Sequence, residues 1–366
     1  MAESTLLKDI LNKDYLQKLA ADIKTAYAPF EANAFVESVM DETWDNLELK
    51  ARGRHITLNL GKFLPKDYKE SISIIDKIVI HQGSWLDGFA MFFPDYVEVY
   101  GQDEENWDTS MAALARYTIH ASAEFAVRPF IINHEECMMA QMLAWASHED
   151  ENVRRLASEG CRPALPWAQA LNSFKKDPSP VLPILEKLKN DSSLFVRRSV
   201  ANNLNDISKT HPDLVAKIAR KWYGENENVN WVVKHACRTL LKKGHRDVLA
   251  IFGYDSTDNF TVSGFTLEAN KIAIGGDLQF SFEITAKNTA KVRLEYAIDF
   301  VKANGKTSRK IFQISESLMK ENQKKRYDKK HSFADLSTRK HYPGEHAICL
   351  IVNGEEQDNI QFDVTM

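Results

Sequence analysis

A short motif recurs at intervals near 40 residues in the first two-thirds of this chain, and it restricts the fold more than any other feature. Asn152-Val153-Arg154-Arg155-Leu156-Ala157 is matched by Phe195-Val196-Arg197-Arg198-Ser199-Val200, and more weakly by Val232-Val233-Lys234-His235-Ala236-Cys237. The aligned valines lie 43 and then 37 residues apart. Acid- or Asn-rich segments (His-Glu-Asp-Glu, Lys-Asn-Asp-Ser-Ser and Asn-Glu-Asn) precede the three copies and read as turn and N-cap chemistry before a helix. A unit of this length cannot bury its apolar face alone, so successive units must stack.

The period and the Val-Arg helix start are similar to HEAT repeats, paired helices that stack into a superhelix. Residues 1 to about 255 read as helical, with apolar residues at three- and four-residue spacing, as in Met111, Leu114, Tyr117, Ala121 and Phe125. The pattern changes near residues 254–260. Phe260-Thr261-Val262 opens a series of alternating runs at Leu278 to Ile284, Val292 to Val301, Lys310 to Ile314 and Ala347 to Val352. Gly275-Gly276, Asn304-Gly305 and Asn353-Gly354 punctuate them, which predicts a β-sandwich of immunoglobulin-like architecture. The expected fold is mainly α: a HEAT-like α-α solenoid over residues 1–256, then a β-sandwich over 257–366.

Charge is unevenly distributed. Between Lys302 and Lys340 twelve basic residues face four acids, a net +8 in a chain whose total is −4, so the remainder carries −12. The segment reads either as a face for a polyanion or as a solvated loop. Cys137, Cys161, Cys237 and Cys349 are scattered without a C-x-x-C pair, which argues against a zinc ribbon or a disulfide framework and fits a reducing cytoplasm. The first residues, MAESTLLKDILNKDYLQ, carry charges every few positions and do not read as a secretory signal. No apolar run approaches the roughly 18 residues of a membrane span. P-loop, dinucleotide, H-E-x-x-H and G-x-S-x-G motifs are all missing, which disfavours hydrolysis through a metal, a P-loop or a serine triad.

Acids, arginines and tryptophan on the repeat helices carry whatever chemistry there is. Glu159 lies six residues after Val153 and Asp206 ten after Val196. These offsets differ by about one turn, so the two carboxylates share a phase on neighbouring helices. Glu124 precedes Arg128 by four, an i,i+4 pair on an earlier helix. Trp167 follows Arg162-Pro163-Ala164-Leu165-Pro166, a loop that re-enters the next helix. Each has a plainer reading. Arg154 and Arg197 serve a ladder of ion pairs between repeats or contact DNA; Glu159 is a ladder acid; Asp206 caps a helix end; Trp167, like Trp145, belongs to the core.

Three blocks carry a specific resemblance: Ala123-Glu124-Phe125-Ala126-Val127-Arg128-Pro129-Phe130, Val153 through Trp167, and Val196 through Ile207. They resemble the AlkC branch of the HEAT-like-repeat DNA alkylation repair glycosylases. Lys329-Lys330-His331-Ser332-Phe333 and Thr338-Arg339-Lys340-His341-Tyr342-Pro343-Gly344-Glu345-His346 look like the family's immunoglobulin-like extension. The resemblance implies a monofunctional glycosylase, without metal or nucleotide cofactor, that excises cationic N-alkylated bases of the 3-methyladenine, 3-methylcytosine and 1-methyladenine class. Its partner would be double-stranded DNA containing alkylated bases, with the lesion left in or near the stack. It implies a bacterial cytoplasmic monomer, nucleoid-associated when on DNA. The catalytic set would be Glu124, Glu159 and Asp206, with Trp167 as an aromatic wall. Arg154, Arg155, Arg197, Arg198, Lys234, Lys324, Lys325 and Arg326 are the candidate phosphate contacts. The competing function is a non-catalytic HEAT scaffold, which has no need for three converging carboxylates.

Overall fold

The computed structural model describes residues 6–81, 90–254, 256–336 and 339–366. Asp255 and Thr338, which fall in stretches singled out above, lie outside the described residues. The chain folds as two compact units, Met1–Thr210 with Asn226–Ala236, and His211–Glu225 with Cys237–Met366.

The first unit is helical. After a 3-10 turn over Leu7–Ile10 come α1 (Lys13–Ala26), α2 (Ala32–Val39), α3 (Leu49–Phe63), α4 (Tyr68–His81), α5 (Phe92–Tyr100) and α6 (Trp107–Tyr117). Then follow α7 (Val127–Asn133), α8 (Glu135–Trp145), α9 (Glu151–Glu159), α10 (Asn172–Lys176), α11 (Leu182–Leu188) and α12 (Leu194–Ile207). After α13 (Pro212–Trp222), which belongs to the second unit, α14 (Glu227–Ala236) completes the first.

The three motif copies fall on α9, α12 and α14, and α12 packs between the other two. Behind them α8 packs on α9, and α11 on α12, as HEAT-like pairs do. Val153, Val196, Val232 and Val233 are all buried. The preceding polar residues cap as expected: Asp150 accepts from the Asn152 amide, Ser193 from that of Phe195 and Asn226 from that of Val229. Each such cap contributes about 1 kcal/mol. A polar seam fixes the stacking of α9 on α12. Ser158 Oγ donates to Ser199 Oγ at 2.7 Å, and Asn203 Nδ2 donates to the Ser158 carbonyl at 2.8 Å. Trp145 is buried in the core. The helix drawn through Met111 to Phe125 ends early, at Tyr117. There Thr118 Oγ1 accepts from the Ala123 amide, a local bond that competes with the helix and leaves Ala121 and Phe125 in the following turn.

The second unit holds α13, α15 (Arg238–Lys242), α16 (Arg246–Ile251) and eight strands. They are β1 (Phe260–Leu267), β2 (Lys271–Ala273), β3 (Asp277–Ala286), β4 (Ala290–Val301), β5 (Thr307–Met319), β6 (Lys324–Ser332), β7 (Gly344–Val352) and β8 (Glu355–Thr365). They form a three-stranded sheet ordered β1-β3-β6 and a five-stranded sheet ordered β2-β8-β7-β4-β5, an immunoglobulin-like sandwich. Phe280, Phe282, Leu294, Ile298, Leu350 and Phe362 are among the residues of its core. The helices and the sandwich of this unit touch closely at two glycines: a Cβ on Gly244 would lie 2.7 Å from the Gly354 carbonyl oxygen. The lysine-rich stretch that the sequence left open as a solvated loop is strand β6. No helix among the described residues is long and apolar enough to cross a membrane.

Three histidines are buried at one end of the sandwich: His331, His341 and His346 pack against Phe300 and Phe333. Tyr296 Oη lies 2.9 Å from His331 Nδ1. Burial, aided by Arg339 and His341, lowers the His331 pKa to about 4. Burial lowers those of His341 and His346 as well. The folded unit therefore keeps these imidazoles neutral where the unfolded chain binds protons. The stabilisation is complete above about pH 6.5 and is lost as pH falls toward 4, about 3 kcal/mol for His331 alone. Calorimetry should show the transition of this unit moving to lower temperature between pH 7 and pH 4.5. A transition that stays put over that range would contradict neutral burial.

Candidate functional site

Six charged side chains form one line of alternating sign inside the first unit. Glu159 is the last residue of α9, Asp206 lies in the last turn of α12, and Glu124 sits in the turn before α7. Arg155 Nη1 contacts Glu124 Oε2 at 2.5 Å, and its Nη2 lies 3.5 Å from Glu159 Oε1. Arg162 Nη1 donates to Glu159 Oε1 at 2.6 Å and its Nε to Asp206 Oδ2 at 2.9 Å. Lys209 Nζ donates to Asp206 Oδ1 at 2.8 Å. Ser122 Oγ adds a bond to Glu124 Oε2 at 2.9 Å. The carboxylates are withdrawn from solvent, with side chains 16% (Glu124), 7% (Glu159) and 2% (Asp206) exposed. Buried charges persist only when paired and hydrogen-bonded, which this alternation provides. Burial works against the Arg162 charge, but Glu159 and Asp206 outweigh it and hold its pKa above the usual arginine value.

Glu124 and Glu159 face a cleft of about 950 Å³ whose other lining residues include Phe125, Leu165 and Trp167. Trp167 stands at its rim with 77% of its surface exposed and a left-handed backbone, φ 62°. Two cations hold the loop that presents it. Lys50 Nζ donates to the Trp167 carbonyl at 2.7 Å while lying 4.2 Å from the centre of the Phe125 ring. Arg128, fully buried, donates to the carbonyls of Gly160, Arg162 and Gln169, and burial lowers its pKa to about 10.

Comparison with known proteins places this geometry. Residues 116–240 match a family model described as DNA alkylation repair enzyme, and residues 261–366 match the C-terminal Ig-like domain of the uncharacterised protein YhaZ. The chain is 48% identical over 358 residues to uncharacterized protein YhaZ of Bacillus subtilis, covering 98% of this chain and 99% of that one. It superposes on the solved Pseudomonas fluorescens alkylpurine DNA glycosylase AlkC, bound to DNA containing an abasic-site analog, with a TM-score of 0.93. That match is 34% identical and covers 99% of this chain and 100% of the other. The chain belongs to the AlkC branch of the HEAT-like-repeat DNA alkylation repair glycosylases.

Within this AlkC-type chain the expected residues divide. Glu159 and Asp206 converge on one partner, Arg162, but only Glu159 lines the cleft, while Asp206 backs it through the guanidinium. The Glu124–Arg128 helical pair does not form. Glu124 precedes the helix and turns to Arg155, and Arg128 spends its donors on backbone carbonyls. Trp167 is neither a core residue nor at a helix entry, since α10 begins only at Asn172.

Arg154 pairs with both oxygens of Asp191, at 2.7 and 3.0 Å, and bonds two carbonyls; Arg197 bonds the carbonyls of Asp191 and Ser192. Arg154 thus makes a ladder contact between repeats, whereas Arg197 bonds the turn before its own helix. Arg155 belongs to the carboxylate line, whereas Arg198 and Lys234 are exposed. On β6, Lys324 and Arg326 are exposed, whereas Lys325 is half-buried and donates to Ser317 Oγ at 3.3 Å. Sequence reasoning passed over Arg162 and Lys50. Arg162 stood in plain view at i+3 from Glu159, a spacing that pairs side chains on one helix face. Lys50 had no local signal at all.

Removing the central guanidinium should strand two buried carboxylates. Arg162→Gln is expected to lower the unfolding free energy by about 3–5 kcal/mol in urea titration. Arg198→Ala, on the exposed face, should change it by less than about 0.5 kcal/mol. Equal effects of the two would show that the buried line does not support the fold.

Proposed function

We propose that this chain is a monofunctional DNA glycosylase that hydrolyses the N-glycosidic bond of cationic N-alkylated bases in duplex DNA. The substrate class is 3-methyladenine, 3-methylcytosine and 1-methyladenine, and the base is excised without being flipped into a closed pocket. The observation that carries this reading is the pair of arginine-held carboxylates, half-buried Glu124 and buried Glu159, opening onto a cleft walled by an exposed indole. The ion pairs would serve a HEAT scaffold too, but a scaffold has no use for turning two of the carboxylates onto a cleft beside an exposed indole. Membership of the family and the DNA-bound AlkC relative support it further.

Alkylation makes the base a cation, so the C1′–N bond breaks with its electron pair going to a base that leaves neutral. No acid is needed to protonate it. Positive charge develops on the deoxyribose as an oxocarbenium-like species, and the carboxylates supply negative potential there. Water attacks C1′, and a carboxylate takes its proton. The Trp167 face attracts the cationic sugar or base by about 0.5–2 kcal/mol. Asp206, screened from the cleft, acts by fixing Arg162 and hence Glu159. Arg198 and Lys234 on the repeats, with Lys324, Lys325, Arg326 and Lys330 on the sandwich, are the phosphate contacts we propose, while Arg155 is engaged by Glu124 and Glu159.

Release of free base from methylated duplex tests this. Glu159→Gln should lower excision at least about 100-fold, with affinity for undamaged duplex changed little. A folded Glu159→Gln variant that excises at the wild-type rate would return Glu159 to a structural role. Efficient release of uracil, a neutral base on a strong bond, would sink the leaving-group argument. On the sandwich, the outward-facing Lys324, Arg326 and Lys330 changed together to Ala should flatten the slope of log K against log salt by up to about 2–3 units. An unchanged slope would make β6 a solvated edge and nothing more.

A further inference from the structure

The cleft has a wall that the carboxylates and Trp167 do not account for. It comes from the far end of the sequence: Leu6, Leu7 and Lys8 line the same space as Glu124, Glu159 and Trp167. Leu6 and Leu7 are 58% and 59% exposed, and none of the four residues in the Leu7–Ile10 turn is buried. A turn with so little apolar burial would fray unless something else held it.

Polar staples hold it. Arg52, itself buried on α3, donates through Nη1 to the Lys8 carbonyl at 2.7 Å, and the same Nη1 lies 3.9 Å from Asp9. Its guanidinium stacks 4.8 Å from the Trp44 ring centre. Lys8 Nζ pairs with Glu48 at 2.9 Å, and Leu11, just beyond the turn, is fully buried. The turn is thus fixed in place while its two leucines are presented outward, at the rim of the cleft.

We propose that Leu6 and Leu7 are substrate-binding residues that close over the deoxyribose of the damaged nucleotide in duplex DNA. The charge pattern selects this occupant. The cleft is lined by the carboxylates Glu48, Glu124 and Glu159 and the cations Lys8, Lys50 and Arg162. Lys8 is engaged by Glu48 and Lys50 by the Trp167 carbonyl, and a cationic sugar or base matches the carboxylates Glu124 and Glu159. Apolar walls of leucine and indole suit the hydrocarbon face of the sugar between them. Covering that face excludes water from all but the attacking position, and the carboxylates act more strongly on the developing charge in a drier site. The inference rests on the glycosylase reading above.

The test is single-turnover excision from methylated duplex by the full chain carrying Leu6→Ser and Leu7→Ser. The rate should fall at least about tenfold, the scale of apolar contact withdrawn from a transition state. The melting temperature should hold, because both side chains are exposed already. Leu7→Met with Leu6→Met should restore the rate to within about threefold, since the wall needs apolar surface rather than leucine itself. A wild-type rate in the serine variant overturns the proposal while leaving the glycosylase reading intact. So does a wild-type dimer in sedimentation that the serine variant dissociates, because the leucines then cover a second copy of the chain. No excision by the wild-type protein overturns both.

Discussion

The buried guanidinium of Arg162 holds the site together. Two helices that belong to different repeats, α9 and α12, each carry a carboxylate in the last turn, and the two oxygens that converge would repel each other if nothing lay between them. Arg162 lies between them, with 2.6 and 2.9 Å contacts to Glu159 and Asp206. Arg155 repeats the arrangement one step along, between Glu159 and Glu124. The result is a cluster in which acids are paired and oriented by cations behind and beside them. Carboxylates held this way need no reorganisation when positive charge develops in front of them, which is the condition for electrostatic catalysis. The same pairing is structural, because it ties the repeats to one another where their ends meet.

This double use explains what could and could not be read from the repeat itself. The Val-Arg-Arg motif correctly marked helix starts, caps and the buried valines, because those follow from local spacing. It also placed Glu159 and Asp206 on converging phases. What it could not separate was the first arginine from the second. Successive residues on a helix point about 100° apart, so Arg154 turns to Asp191 on the neighbouring repeat while Arg155 turns to the site. Their side chains are chemically the same and their roles differ only by that rotation. Lys50 and the N-terminal turn were harder still. Their partners lie 117 residues away for Lys50 with Trp167, and 44 for Lys8 with Arg52. The Val-Arg-Arg repeat, whose first copy holds Val153, reaches neither Lys8 nor Lys50.

In the sandwich the linear charge count misled in a different way. The window from Lys302 to Lys340 carries a large excess, yet strands pair residues that are distant in sequence. Arg309 meets Asp299 and Glu356, Lys324 meets Glu283, and Lys330 meets Asp277, all acids outside the window. Both β5 and β6 are also edge strands of their sheets. Lysines on an edge discourage pairing with another chain, whatever else they do. Basic density on these strands therefore has two physical causes, edge protection and polyanion contact. The pairs of Lys324, Arg326 and Lys330 are exposed ones, worth little in water, so these side chains can exchange an acid for a phosphate.

Trp167 carries the argument one step further. A non-glycine residue with φ 62° is strained by about 1–3 kcal/mol, and an indole 77% exposed forgoes most of its burial. The fold accepts both and adds two cations to keep the loop so, Lys50 on the Trp167 carbonyl and Arg128 on the carbonyls around it. On the proposed reading, a wall that folding alone does not reward is kept for contact with the DNA. Because the wall is open, that contact is made by a surface approaching the cleft, not by a group enclosed within it. An open wall of this kind suits a site that grips the sugar and backbone of a duplex and lets the charge of the lesion, rather than the shape of the base, decide which bond breaks.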